Sequence, residues 1–91
     1  MSLEPQIRAF INEAPCGCIF DAHAVITHLL EEYPDDYLGF HNAGEPTNSF
    51  HSRISCEIDK LTKDNAIVRI GNSYSKNITG NFSENACWKK L

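Results

Sequence analysis

No run of apolar residues in this 91-residue chain extends beyond a few positions. Val25–Ile26 and Leu29–Leu30 are typical, so no transmembrane helix is expected. The opening residues, Met1-Ser2-Leu3-Glu4-Pro5-Gln6, hold neither a basic stretch nor an apolar segment, which predicts no secretory leader and a cytoplasmic protein. Internal repeats and low-complexity tracts are missing too. Charged residues at 22% and aromatics at 10% are ordinary for a globular chain and speak against wholesale disorder. The length fits one domain spanning residues 1–91, with one modest core and no room for a large second pocket.

Matched ligand pairs are also lacking. The four cysteines are Cys16, Cys18, Cys56 and Cys87. Cys16-Gly17-Cys18 is tighter than the usual spacing of structural zinc sites and has no second pair to complete it. Free thiols, no metal and no cofactor are therefore expected. His23 and His28 stand five apart and fall on different helical faces, unlike the paired ligands of a zinc protease. No serine, cysteine, histidine and acid share a spacing that identifies a nucleophilic trio. A domain this small also rarely encloses a cleft, so the chain is not expected to be an enzyme. Asn77-Ile78-Thr79 and Asn81-Phe82-Ser83 fit the glycosylation acceptor pattern and are read simply as loop residues.

Bases are scarce in the first half. Residues 1–45 hold Arg8 against eight acids, a balance of −7, whereas residues 46–91 hold seven bases against four acids, a balance of +3. The net charge of −4, which at first argues against nucleic acid, thus conceals a polar molecule with one basic side.

What is present reads as helix, short strand, helix, connection, helix, hairpin. Ile7, Phe10, Ile11 and Ala14 make one apolar face from Glu4 to Ala14, closed by Pro15 and Gly17. Cys18-Ile19-Phe20 is a short apolar stretch. Asp21 is an N-cap for a helix in which Ala22, Val25, Ile26, Leu29, Leu30 and Tyr33 recur at helical spacing, and Pro34 ends it. Pro34 to Pro46 is a thirteen-residue connection whose Tyr37, Leu38 and Phe40 suggest packing and one short helical turn. Thr47 or Asn48 caps the next helix, where Phe50, Ile54, Ile58 and Leu61 form a narrow core stripe up to Asp64-Asn65. Ala66 to Ile70 is β-rich and stops at Gly71; Asn72 to Asn85 reads as a polar loop, and Ala86 to Leu91 as the returning strand.

On this order the chain resembles the winged helix-turn-helix superfamily over nearly its whole length. The resemblance rests on Asp21 to Tyr33 as second helix, Thr47 to Asp64 as third, and Ile67–Ile70 with Cys87–Leu91 flanking a wing. The thirteen-residue connection departs from the family's tight turn. The fold class implied is α+β, three helices followed by a C-terminal β-hairpin wing. The function implied is double-stranded DNA binding by a small transcriptional regulator, with the third helix (about 48–63) in the major groove and the 71–86 loop as wing.

The helical wheel agrees with that implication. Counting about 100° per residue from Ser49, the core stripe lies near 100–180°. Ser49, Ser52, Arg53, Cys56, Lys60 and Lys63 cluster within about 60° of zero. That side has three bases and no acid; Arg can pair with guanine, and hydroxyls suit base edges or phosphates. His51 falls beside the core stripe and is read as structural. Asn48, Ser49, Ser52 and Arg53 are expected nearest base edges. Lys60, Lys63 and Lys76 are expected at phosphates, with Arg69 and Lys89 assisting from the wing strands and Ser75 and Asn77 offering short donors from the loop. A homodimer reading two half-sites is compatible with this. The competing reading is a protein-interaction module in which Glu31, Glu32, Asp35 and Asp36, beside Tyr33, Tyr37 and Phe40, bind a basic partner.

Overall fold

The computed structural model describes residues 2–91; Met1 lies outside the described residues. The chain is an α+β fold in the order α1 (Glu4–Glu13), β1 (Ile19–Asp21), α2 (Ala22–Glu32), α3 (Pro34–Phe40), α4 (Thr47–Asp59), β2 (Ile67–Lys76) and β3 (Phe82–Lys90). A 3-10 segment, Lys60–Asp64, continues α4. The three strands make one antiparallel sheet, ordered β1-β3-β2.

The expected count of three helices is corrected to four. The 34–46 connection holds a full two-turn helix, α3, rather than a single turn. Pro34 starts it, where a missing N–H costs nothing, and Asp35 and Asp36 complement its dipole in the first turn. Tyr37 and Phe40, three apart, are buried and fasten it to the core.

Helix ends follow mixed rules. Asp21 caps α2 as expected, its Oδ1 accepting from the Ala24 N–H at 2.9 Å. The cap of α4 is corrected: neither Thr47 nor Asn48 caps it. Extended Pro46 holds that position, accepting the Phe50 N–H at 3.0 Å, and no side chain bonds the first turn. Asn65 ends the 3-10 segment in the left-handed region (φ 59°). Lys90, at the far end of the chain, closes α1, its Nζ donating to the carbonyls of Ile11 (2.6 Å) and Ala14 (3.4 Å).

One core gathers the apolar faces. Leu3, Ile7 and Ile11 of α1 and its approach meet Val25, Ile26 and Leu29 of α2, Ile54 and Ile58 of α4, and Phe20, Ile67 and Trp88 of the sheet. The stripe read on α4 is buried throughout, with Phe50, Ile54, Ile58 and Leu61 at most 3% exposed. Each such side chain contributes roughly 1.5–3 kcal/mol by leaving water. Trp88 is fully buried, stacks on Phe20 with ring centroids 6.0 Å apart, and donates its indole N–H to Asp59 of α4 at 3.1 Å. It therefore joins β3 to β1 and to the end of α4 at once.

The hairpin is corrected most. Gly71 does not stop β2. It lies at a bulge, between the Arg69↔Trp88 and Gly71↔Cys87 pairs, with φ 131°, and the strand runs on to Lys76. Likewise β3 begins at Phe82, not Ala86, so the span read as a 71–86 loop is mostly paired strand. Its turn is only Asn77 to Asn81. Asn77 Oδ1 accepts from Thr79 N, Thr79 Oγ1 and Asn81 N, and Gly80 turns at φ 86°.

Candidate nucleic-acid interface

Helix α4 stands between two grooves. One, of about 720 Å³, is lined by Phe40, Arg53, Glu57 and Leu61, with Ser2 and Glu4 on its far wall. The other, of about 510 Å³, separates α4 from the hairpin and is lined by His23, His51, Ser55, Asp59, Asn85 and Trp88. Ser52 and Cys56 border both grooves, so they mark the ridge of the helix. Ser49, Ser52 and Cys56 are exposed on this side of α4 as the helical wheel implies, and Lys60 and Lys63, in the 3-10 segment beyond its end, are exposed too but border only the first groove. Asn48 is exposed in the first turn.

Arg53 does not share that freedom, which corrects its expected place at base edges. Its Nε and Nη2 bind the two carboxylate oxygens of Glu45 at 2.6 and 2.7 Å, and Nη2 also donates to the Phe40 carbonyl at 2.6 Å. The guanidinium lies over the Phe40 ring, 4.4 Å from its centroid. It clamps the 41–46 loop and the end of α3 onto α4. Arg53 in turn holds the Glu45 carboxyl down at about 2. Lys60 is exposed but bonded to Glu57 at 2.7 Å, which neutralises it locally.

Two expected loop donors are also engaged. Ser75 Oγ lies 2.7 Å from His23 Nδ1, and Asn77 spends its side chain on the turn. The His23 N–H donates to Asn85 Oδ1 (2.9 Å), and Ser73 Oγ donates to Asp21 Oδ2 (3.1 Å). Burial pushes the Asp21 carboxyl up, but bonds from Ser75, Ala24 N–H and Ser73 outweigh it and the net shift is downward. These contacts pin one face of the hairpin to the start of α2. Signals for this were thin: histidines and serines distant in sequence give no periodicity.

The basic side chains separate into groups. Arg69 shares a sheet face with Trp88, its guanidinium 5.7 Å from the indole and 3.8 Å from Asp59. Lys76 is exposed near the hairpin tip. Lys89 alternates with Trp88, beside Ile19 and Val68, and so lies on the sheet face turned away from the helices. Lys63 borders the first groove, Arg69 borders the second, Lys76 stands on the exposed face of the hairpin, and Lys89 lies apart from all three.

His51 is structural as read, 2.8 Å from the Tyr37 hydroxyl. Burial lowers its pKa and raises that of Tyr37, keeping both neutral. The cysteines are free thiols: Cys16 and Cys56 are exposed and Cys18 is half-buried. Cys87 is buried on the face opposite Trp88, and burial pushes its thiol up. Among the described residues no group of three or more His, Cys, Asp or Glu side chains could hold a metal, and no helix is long and apolar enough to cross a membrane.

No protein-family model, curated protein sequence or solved structure matches this chain.

Proposed function

We propose that this chain is a winged-helix DNA-binding module, with α4 as the major-groove helix and the β2–β3 hairpin as its wing. The observation that carries this reading is the α4 ridge. Ser49, Ser52 and Cys56 form an exposed line on the side opposite a fully buried stripe, extended into the 3-10 segment by Lys63 and by Lys60, the latter paired with Glu57. A helix raised between two grooves has the relief that a major groove admits. The element order, and a hairpin whose first strand leaves the end of α4, add support. In this reading α3 is an extra element between the second helix and the major-groove helix, and Arg53 positions rather than reads.

The test is a salt titration against random-sequence duplex DNA. With Lys63, Arg69 and Lys76 each neutralising a phosphate, log Kobs falls against log salt with a slope of about −3. Undetectable duplex binding at low salt refutes the reading.

One observation favours a second reading, a protein-interaction surface. Leu38 (65% exposed) and Leu30 (38%) stand uncovered among Glu31, Glu32 and Asp35. An acidic surface with exposed leucines suits a basic, apolar partner segment. Asp36 contributes less, because it accepts a bond from Gln6 of α1 at 3.0 Å. Glu31→Lys with Asp35→Lys abolishes partner binding and spares DNA binding if this second surface is the working one.

A further inference from the structure

The hairpin has two unlike faces. On one, Ser73, Ser75, Ser83 and Asn85 are half-buried and bonded to each other, to His23 and to Asp21. On the other, Tyr74, Lys76, Phe82 and Glu84 stand free. Tyr74 and Phe82 are 73% and 69% exposed, the two most uncovered large apolar side chains among the described residues. Strand register puts Lys76 directly across from Phe82, its Nζ 5.9 Å from the ring centroid, and Tyr74 diagonal to that ring.

Leaving two aromatic rings in water is costly unless something covers them. The scaffold beneath them is firm. The bonded face anchors the hairpin to α2, and Asn77 holds the turn with three accepted hydrogen bonds. The rings are therefore presented on a prepared surface, which reduces the ordering cost of binding.

We propose that Tyr74, Lys76 and Phe82 form a stacking platform for the unpaired bases of single-stranded DNA at the end or fork of a duplex. This rests on reading the hairpin as the wing of a DNA-binding module. The chemistry of the face favours bases over an intact backbone. Flat aromatic faces stack on any unpaired base, and a lysine beside them meets the phosphate that follows. Glu84, across from Tyr74, repels a phosphate but accepts a hydrogen bond from the exocyclic amine of a base such as cytosine. A paired duplex hides its base faces and offers only phosphates and groove edges to such a surface.

The experiment compares three fluorescent oligonucleotides on the full chain: a blunt duplex, the same duplex with cytosine-rich unpaired arms, and one arm alone. The forked duplex is expected to bind about tenfold more tightly than the blunt one. Tyr74→Ala and Phe82→Ala each remove most of that ratio, whereas Phe82→Trp keeps it. A 2-aminopurine placed in an arm is quenched by the parent chain and not by the double alanine variant. Far-UV circular dichroism verifies that the variants fold; these side chains are exposed, so folding does not depend on them. Equal affinity for forked and blunt DNA, with blunt DNA bound, overturns the platform and leaves the α4 reading standing. Undetectable blunt-duplex binding, with the single arm still bound and its 2-aminopurine quenched, defeats the α4 reading and supports the platform, and no binding to any of the three oligonucleotides overturns both. Self-association of the parent chain that Phe82→Ala abolishes shows a protein contact and also overturns the platform.

Discussion

Arg53 and Glu45 are joined by two parallel hydrogen bonds of 2.6 and 2.7 Å, and the same guanidinium covers the Phe40 ring and bonds the Phe40 carbonyl. An arginine on the basic side of α4 is thus committed to holding α3 and the following loop in place. Its geometry is the bidentate kind that specifies orientation as well as attraction.

Arg53→Ala is expected to lower the melting temperature by on the order of 5 °C and to speed proteolysis within residues 41–46. Arg53→Lys recovers only part of the loss, because an ammonium cannot bridge both carboxylate oxygens. Thermal melts and limited proteolysis check this. Unchanged melting with weakened DNA binding would return Arg53 to a reading role.

Stability should fall on acidification in two stages. His51 is depressed below 6.5 by burial, so the unfolded chain binds its proton first and stability begins to drop as pH passes down through 6.5. Glu45 is depressed from 4.5 to about 2 by Arg53, so its contribution is complete above 4.5 and disappears as pH falls toward 2. Melting temperature against pH shows both stages in the parent chain. Glu45→Gln shrinks the lower stage, leaving the part due to the depressed Asp21 and Glu57 carboxyls, and His51→Gln removes the upper one.

The cations are not expected to act alike. Lys63→Ala and Lys76→Ala each reduce the salt slope of duplex binding by about one and weaken binding across sequences evenly. Lys89→Ala leaves the slope in place, since Lys89 lies on the opposite sheet face beside Ile19 and Val68. An equal loss for Lys89→Ala would argue for a different docking face.

Trp88 carries much of the packing between sheet and helices. Trp88→Ala is expected to cost about 3–5 kcal/mol, a large part of the marginal stability of a chain this size. Trp88→Phe keeps ring packing against Phe20 but leaves Asp59 without the indole donor, for a smaller loss of about 1–3 kcal/mol. Urea denaturation of both variants gives the two values.

Local chemistry made much of this fold legible in the sequence. The i, i+3, i+4 spacing of Ile7, Phe10 and Ile11, the Asp21 cap and the Phe50–Leu61 stripe all act within one or two turns, where periodicity and burial coincide. The same arithmetic that identified the buried stripe on α4 identified its exposed ridge.

Contacts distant in sequence decided the rest. Asn72 to Lys76 has little apolar content to announce a strand, yet β3 supplies its hydrogen-bonding partner and His23 and Asp21 satisfy its serines. A strand whose inner face is polar cannot be recognised until the groups that bond it are known. Arg53 is the converse case. Composition placed it among the free cations, and Glu45 and Phe40, eight and thirteen residues upstream, withdrew it. By itself the sequence determined α1, α2 and α4 and which side of each is buried, because those preferences are local, whereas the full length of α3 came only with the structure. Only the tertiary structure decided which polar groups remain free to meet a ligand, because a hydrogen bond or ion pair depends on what folding brings within about 3 Å.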